Sequence, residues 1–559
     1  MKRLHAAAMA ALITVPVSLT AGAASAVPPA WTSSVAYTNA VASSPTTGGG
    51  YPVPPGERVP DAGTCGAGPF NANHSESWLA VKPGTEDLVG TSKFFFDKYS
   101  TFYMFYNGAY QILDGTPSGN NEVQGYECTT TGTQDMPPSW TNTTDPNADF
   151  DTQGRVYQTM LPYNSFFDAT RLHPDGEIDM SYSDDLGRTW VKGNHGVPLE
   201  PPNNASALQL GHVEDKQWVA VNHIAGNKFQ DHVYAAWAVF NGSGGGIKVR
   251  MAVSRDRSQT FAKPVTISTP SQVTAGATYV LPEIDAAGNL FVSVVSFPPN
   301  GDPSTIYVAR STDDGRTFRA FVPITTATVP PGEVYPNTRF RSGIIESFAA
   351  SPTYANHLYL TYEDWDTAGG QADVKFTQST DGGATWTAPV VVNDNVDAPG
   401  VSTDQFQPSI AAGPNGAVAV VFYDRRQACP KGKSILPADV GRTNFCIDTT
   451  LQAYKDSGSG AVPVGSNARI SDFTWDPEQP GQHLGGLSQY PCAGATDPCA
   501  KGSGFIGDYF ALAISEGNIY ALMVSTHYAS SATADEGGPI YYQQQVLATV
   551  PRGDFGSTY

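Results

Sequence analysis

Apolar and polar residues alternate along most of this chain in short runs, the period-two signature of strands with one buried face. One run, Glu76-Ser77-Trp78-Leu79-Ala80-Val81, is followed across a turn by a second, Asp87-Leu88-Val89-Gly90-Thr91. The same arrangement recurs at Asp215-Lys216-Gln217-Trp218-Val219-Ala220-Val221 with His232-Val233-Tyr234-Ala235-Ala236-Trp237: an acidic residue opens a strand, and a turn leads to a more apolar one. Further copies open at Pro282-Glu283-Ile284, Glu346-Ser347-Phe348, Asp404-Gln405-Phe406 and Gly507-Asp508-Tyr509. A fainter copy opens at Asp149-Phe150-Asp151 and continues through Arg155-Val156-Tyr157. Seven two-strand units result, spaced by roughly 60 to 70 residues with one longer interval, and such regular spacing marks a repeat architecture.

Between the units lies a second repeat, S-x-D-x-[GS]-x-T-[WF]. It occurs at Ser183-Asp184-Asp185-Leu186-Gly187-Arg188-Thr189-Trp190, at Ser254-Arg255-Asp256-Arg257-Ser258-Gln259-Thr260-Phe261, at Ser311-Thr312-Asp313-Asp314-Gly315-Arg316-Thr317-Phe318 and at Ser379-Thr380-Asp381-Gly382-Gly383-Ala384-Thr385-Trp386. The motif is a local device. Its Asp carboxylate bonds backbone N–H groups of its own turn, Gly supplies a positive φ, and Thr starts the next strand. The final Trp or Phe is expected to enter a core between sheets. Such a clamp bears on the fold and leaves chemistry open.

This motif resembles the Asp box, or BNR repeat, of the sialidase-like superfamily of β-propellers, and the resemblance extends over most of residues 75–550. It implies an all-β fold: a propeller of four-stranded antiparallel blades, with the two-strand units as inner strands and the Asp box joining the outer two. Seven units imply seven blades, and six, the sialidase number, is the alternative because the second unit is faint. Boxes then fall in blades two to five. The last blade has inner strands up to Met523-Val524-Ser525 and a third at Gln543-Gln544-Gln545-Val546-Leu547, and its fourth strand is expected from Ser33 to Ala40, closing the ring. The domain reading is a signal peptide at 1–26, an N-terminal segment at 27–74 with a Gly/Pro-rich loop, the propeller at 75–550 and a tail at 551–559. Long stretches at 427–443 and 471–503 are expected to be loops that shape a binding face.

Composition adds an address. Lys2 and Arg3, an apolar run from Ala6 to Thr20 and Ala24-Ser25-Ala26 together form a secretion signal. That run falls short of the ~20 residues of a membrane span, so a secreted, extracellular protein without a membrane span is expected. Six cysteines suit an oxidising compartment and fall in local pairs, Cys65 with Cys128, Cys429 with Cys446 and Cys492 with Cys499, although sequence alone leaves connectivity open. No C-x-x-C or His-Cys cluster has zinc-ligand spacing. No metal or cofactor is expected, a structural calcium ion being compatible with the acidic positions. The net charge of -20 denies nucleic acid and anionic membranes the basic face they need. Carbohydrate suits the 11% aromatic content, and a monomer is expected.

In a propeller the inner strands run along the axis, so residues that open them gather around one mouth. Glu76, Glu214 or Asp215, Glu283, Glu346, Asp404 and Asp508 are the acidic positions there. Crowded carboxylates raise some pKa values and create the acid and base roles of glycoside chemistry, whereas the bland reading has each capping backbone N–H groups or binding a cation. The catalytic candidates are Asp404, Asp508, Tyr509 and Glu346. Substrate-binding candidates are Arg425, Arg341, Trp218 and Glu76. Asp404, Asp508, Tyr509 and Arg425 are expected around one end of the axis. Arg425 and Arg426 end the second strand of blade six, and Arg339 and Arg341 precede blade five; arginine forks suit sugar carboxylates, with salt bridging the favoured role for Arg426. His74, His212, His223 and His232 approach the same units, and a His–Tyr pair suits β-elimination of uronic acids. In sialidases three arginines hold the substrate carboxylate, a Tyr assisted by Glu is the nucleophile and an Asp the acid/base. Their Arg-Ile/Leu-Pro motif has two counterparts here, Arg58-Val59-Pro60 and the interrupted Arg171-Leu172-His173-Pro174. The resemblance implies a sialidase-like glycoside hydrolase acting on extracellular glycans. The alternatives are a polysaccharide lyase acting on uronic-acid-containing glycans and a non-catalytic propeller that binds glycan or protein.

Overall fold

The computed structural model describes residues 33–43, 73–95, 105–123, 128–129, 132–133, 142–164, 175–202, 212–241, 247–268, 277–297, 303–332, 334–338, 340, 346–397, 399–479, 505–529 and 541–559. The 1–26 segment, Arg58, Arg171, Arg339, Arg341, Cys65, Cys492, Cys499 and the Cys128 side chain lie outside the described residues.

Seven four-stranded antiparallel blades follow one another along the chain. Blade one is His74–Val81, Leu88–Phe95, Phe105–Leu113 and Thr116–Glu122. Blade two has its first strand split into Asn142–Thr144 and Asp149–Phe150, both pairing the long second strand Val156–Asn164. The remaining first strands are His212–Val221, Ala277–Ile284, Glu346–Ala350, Gln405–Ala412 and Ala511–Ile514. Seven blades replace the six of the alternative count. Blade seven takes its outer strand from the other end of the chain, Thr38–Val41 pairing with Gln544–Pro551 in the register Thr38↔Thr549 to Val41↔Val546. Joining the two ends in one sheet leaves the ring without a seam between its first and last blades.

Second strands explain why these runs are apolar throughout. Leu290–Ser296 and Ala417–Asp424 are buried at every position, because each is covered by a neighbouring blade on both faces. One apolar cluster joins blades three and four through Ala236, Val249, Val280 and Val292. Another joins blades five and six through Tyr359, Phe376, Val418 and Tyr454. Burying such side chains contributes roughly 1.5–3 kcal/mol each.

The four S-x-D turns link third to fourth strands in blades two to five, at the end of the ring opposite the first-strand starts. In each, the Asp accepts the Ser hydroxyl at 2.8 Å. The same carboxylate takes the Thr N–H at 2.8–2.9 Å and the Thr hydroxyl at 2.5–2.7 Å. Gly187, Gly315 and Gly383 hold the positive φ, and Ser258 takes it in the second copy. Trp190 is buried, its indole N–H donating to the Gly187 carbonyl at 3.0 Å.

Candidate functional site

The first strands share a distortion. Register breaks between Ser75 and Trp78, Asp215 and Trp218, Thr278 and Leu281, and Phe406 and Ser409. At each break one residue adopts a positive φ: Glu76 at 52°, Lys216 at 48°, Tyr279 at 54° and Gln407 at 46°. Asp145, at 55°, sits between the two pieces of the blade-two strand, and Gly507, at 101°, precedes that of blade seven. A bulge re-aims the side chain it carries, and holding a non-glycine residue there costs about 1–3 kcal/mol. Five such residues in equivalent places are a shared design for turning side chains.

Glu76, Asp145 and Tyr279 converge on the ammonium of Lys216. Lys216 Nζ lies 2.9 Å from Asp508 Oδ2, 3.5 Å from Asp145 Oδ1 and 3.6 Å from Glu76 Oε1. The ring centres of Tyr279 and Tyr509 are 5.4 and 5.5 Å from it. Lys93, from the second strand of blade one, binds the other Glu76 oxygen at 2.5 Å. Every one of these charged groups is buried. Burial pushes the Glu76 carboxyl above its usual range, more than Lys93 and Lys216 pull it down. Burial acts the same way on Asp145, but there Lys216 and Lys93, aided by the Thr144 hydroxyl, win and hold it below. Against burial, the carboxylates of Asp145, Asp508 and Glu76 keep Lys216 firmly protonated.

Beneath this centre is an aromatic layer. Trp78 and Trp218 meet edge to face at 4.6 Å, and Tyr509 stands 5.0 Å from Trp218 and 6.3 Å from Trp78. The Tyr509 hydroxyl donates to the Pro146 carbonyl at 3.1 Å, and burial followed by the Glu76 charge raises its pKa well above that of a free phenol. Tyr509 is therefore a neutral donor in a fixed place. Trp218 is covered by protein on its inner side and contributes packing there.

Asp404 and Arg425 form a separate buried pair. The Arg425 guanidinium is fully enclosed and donates to Asp404 at 2.8 Å, to Pro336 O at 2.9 Å, to Phe445 O at 3.3 Å and to Asn444 O. Burial lowers its pKa to about 10. Asp404 also accepts the Asn444 amide and the Ala372 N–H. With these bonds Arg425 anchors the loop closed by the Cys429–Cys446 disulfide. Between the two groups lies Glu363, whose Oε2 accepts the Gln407 N–H at 2.9 Å. Burial, with Asp404 and Asp508 adding to it, pushes Glu363 up to about 8. Gln407 in turn donates to Gly507 O at 2.5 Å. Glu346 opens the blade-five strand, buried and raised well above the ordinary range by that burial; its carboxylate has no hydrogen-bond partner among the described residues.

Two acidic positions lie elsewhere than at the mouth. Glu283 and Asp149 each follow a bulge by four residues, beyond Tyr279 and Asp145, and line a cavity on the far side of the aromatic layer. Arg426 makes salt bridges to Asp424 and Asp394. His74 pairs with the Tyr110 hydroxyl at 2.7 Å, and burial holds its pKa down near 3. His232 pairs with Asp314 at 2.8 Å and His223 stands 3.8 Å from Asp149. Sequence reasoning missed Asp145, Lys216, Lys93, Gln407 and Glu363. The one available signal was position: Lys216 lies two residues before Trp218, as Glu76 lies two before Trp78. Among the described residues no group of three or more His, Cys, Asp or Glu side chains is placed to hold a metal ion, and no helix is long and apolar enough to cross a membrane.

No family model and no curated protein matches this chain. Solved structures resemble it at low identity. The Hadza microbial sialidase Hz136 is 13% identical with a TM-score of 0.41, the match covering 62% of this chain and 63% of that one. The chain thus spans under two thirds of that sialidase's length. The Penicillium chrysogenum α-L-arabinanase is 12% identical with a TM-score of 0.38, covering 72% and 92%. The polysaccharide lyase Uly1 is 10% identical with a TM-score of 0.43, covering 88% and 92%. Likenesses this weak leave the function to be argued from the site.

Proposed function

We propose that this protein is secreted and acts on extracellular carbohydrate as a sialidase-like glycoside hydrolase, its four S-x-D turns being Asp boxes of that superfamily. One observation carries the reading: Glu76 and Asp145 touch the same ammonium, yet their surroundings push their proton affinities in opposite directions. Glycoside cleavage needs one carboxyl that keeps its proton near neutrality and another that does not, and such divergence is how paired carboxyls acquire these roles. Glu76 is then the general acid and Asp145 the ionised partner, base or nucleophile. Lys216 keeps Asp145 charged, and Asp508 holds Lys216 in position. The aromatic layer closes the inner end of the centre against water, which strengthens each of these interactions.

The test is turnover on a glycan panel for the wild type, Glu76→Gln and Asp145→Asn, with melting curves to verify folding. Release of reducing sugar, and a fall of ~100-fold or more in kcat for both folded variants, is the expected outcome. Unsaturated, ultraviolet-absorbing products would replace hydrolysis by elimination. Binding without turnover would favour a non-catalytic propeller, and full turnover in both variants would remove the acid/base assignment.

A further inference from the structure

On the far side of Trp78 and Trp218 is a cavity of about 520 Å³, opening toward the face that carries the S-x-D turns. Its wall is a ring of first-strand positions. Ala80, Ala220, Ala349, Ala411 and Ala513 present only methyl groups to it. In blades two and four this methyl wall is interrupted by carboxyls, Asp149 and Glu283. Both are pushed up by burial, Glu283 further by the Asp149 charge. Asp149 accepts the Val221 N–H at 2.7 Å, which orients it. The other ionisable groups on the lining are His223, Lys82 and Glu516, and Glu516 is exposed at the rim. The volume is that of a small-molecule pocket.

We propose that this cavity binds a small organic cation, an alkylammonium entering from the S-x-D face. Methyl walls and two indoles suit the apolar body of such a ligand, and indole is the strongest cation–π partner among side chains. A carboxyl set in an apolar wall, as Glu283 is, holds its proton more tightly than a free one and ionises against an arriving positive charge. A neutral ligand of the same shape gains the walls without that charge pairing. Because the cation stabilises the ionised carboxyls, binding releases protons. Affinity therefore rises with pH through the raised range of Asp149 and Glu283 and falls on acidification.

Choline and its uncharged isostere 3,3-dimethylbutan-1-ol are the probes, titrated calorimetrically into the full-length protein in two buffers of different ionisation heat. Saturable choline binding with net proton release is expected, together with affinity at least ten-fold weaker for the alcohol and a loss of at least ten-fold in Glu283→Gln. Ala349→Phe, which fills the cavity, should abolish binding; if that variant fails to fold, Glu283→Gln still decides. No saturable binding of choline, equal binding of the alcohol, or undiminished binding in folded Glu283→Gln would each overturn the proposal.

Discussion

Lys216 and Asp508 meet at 2.9 Å across 292 residues of sequence, joining blades three and seven, which are not neighbours in the ring. The pair spans the axis and keeps three buried carboxyl groups beside a positive charge. Removing that charge while filling its volume, as in Lys216→Met, takes from Glu76, Asp145 and Asp508 the ammonium they share and leaves Lys93 beside Glu76. Breaking a buried pair from one side typically costs about 3–5 kcal/mol. The loss should also depend on pH. Without Lys216 the folded carboxyls have raised pKa values, so the folded state binds more protons than the unfolded one and stability falls as pH rises. Melting curves at pH 5 and pH 8 should show Lys216→Met closer to the wild type at the lower pH. An equal deficit at both would mean that the cluster is not charged.

Glu363 makes the opposite kind of test. Its carboxyl is raised to about 8, so from about 4.5 to 8 the unfolded chain ionises there while the folded one does not, and stability declines as pH rises across that window. Glu363→Gln keeps an acceptor for the Gln407 N–H and removes the titration. The variant should gain on the wild type by a few kcal/mol between pH 5 and pH 8. Parallel melting curves across that range would show that Glu363 is ionised when folded.

What was legible beforehand was whatever has a local cause. The S-x-D turns, the apolar second strands and the seven units each follow from residues adjacent in sequence. The bulges do not: Glu76, Lys216, Tyr279 and Gln407 share no residue type, and a positive φ on such residues is imposed by the blades around them. Reading the units by their acidic residue therefore entered blades two and four four residues late, at Asp149 and Glu283 instead of Asp145 and Tyr279. That shift placed Glu283 at the wrong end of the axis and hid Asp145. Lys216 was passed over for a related reason, since a lysine opening a strand reads as a solvated edge until three carboxylates from other blades surround it.

The S-x-D turns should matter for stability alone. Asp185 and Asp381 each accept three bonds within an exposed turn, so Asp185→Ala or Asp381→Ala should cost about 1–2 kcal/mol. Both turns lie at the end of the ring away from Lys216. Turnover measured well below the lowered melting temperature should stay within two-fold of the wild type. A large loss in folded protein would connect these turns to the chemistry.

The Cys429–Cys446 bridge joins cysteines 17 positions apart in sequence, a loop for which chain entropy predicts about 3 kcal/mol. The loop also supplies the Asn444 and Phe445 carbonyls that hold Arg425. Replacing both cysteines by serine should therefore lower the melting temperature and quicken hydrogen exchange at Arg425 and Asn444. Peptide mapping without reductant checks the bond itself, and free thiols there would contradict it.

At Gly507 the backbone leading into blade seven runs close against that of blade one at Glu76. A Cβ at this position would lie 2.6 Å from the Glu76 nitrogen and 3.2 Å from its Cα, and the φ of +101° is strained for any other residue. Gly507→Ala thus combines backbone strain with a clash against the residue proposed as general acid, displacing Glu76 from Lys93 and Lys216. Gly465→Ala provides the comparison, since its φ is +69° but nothing lies within 4 Å of the added carbon. Strain alone should cost roughly 1 kcal/mol at Gly465 and leave turnover intact. At Gly507 the expected outcome is a loss of more than about 2 kcal/mol with kcat reduced at least ten-fold in the protein that remains folded. If the two variants behave alike, the position of the Glu76 backbone does not govern the centre.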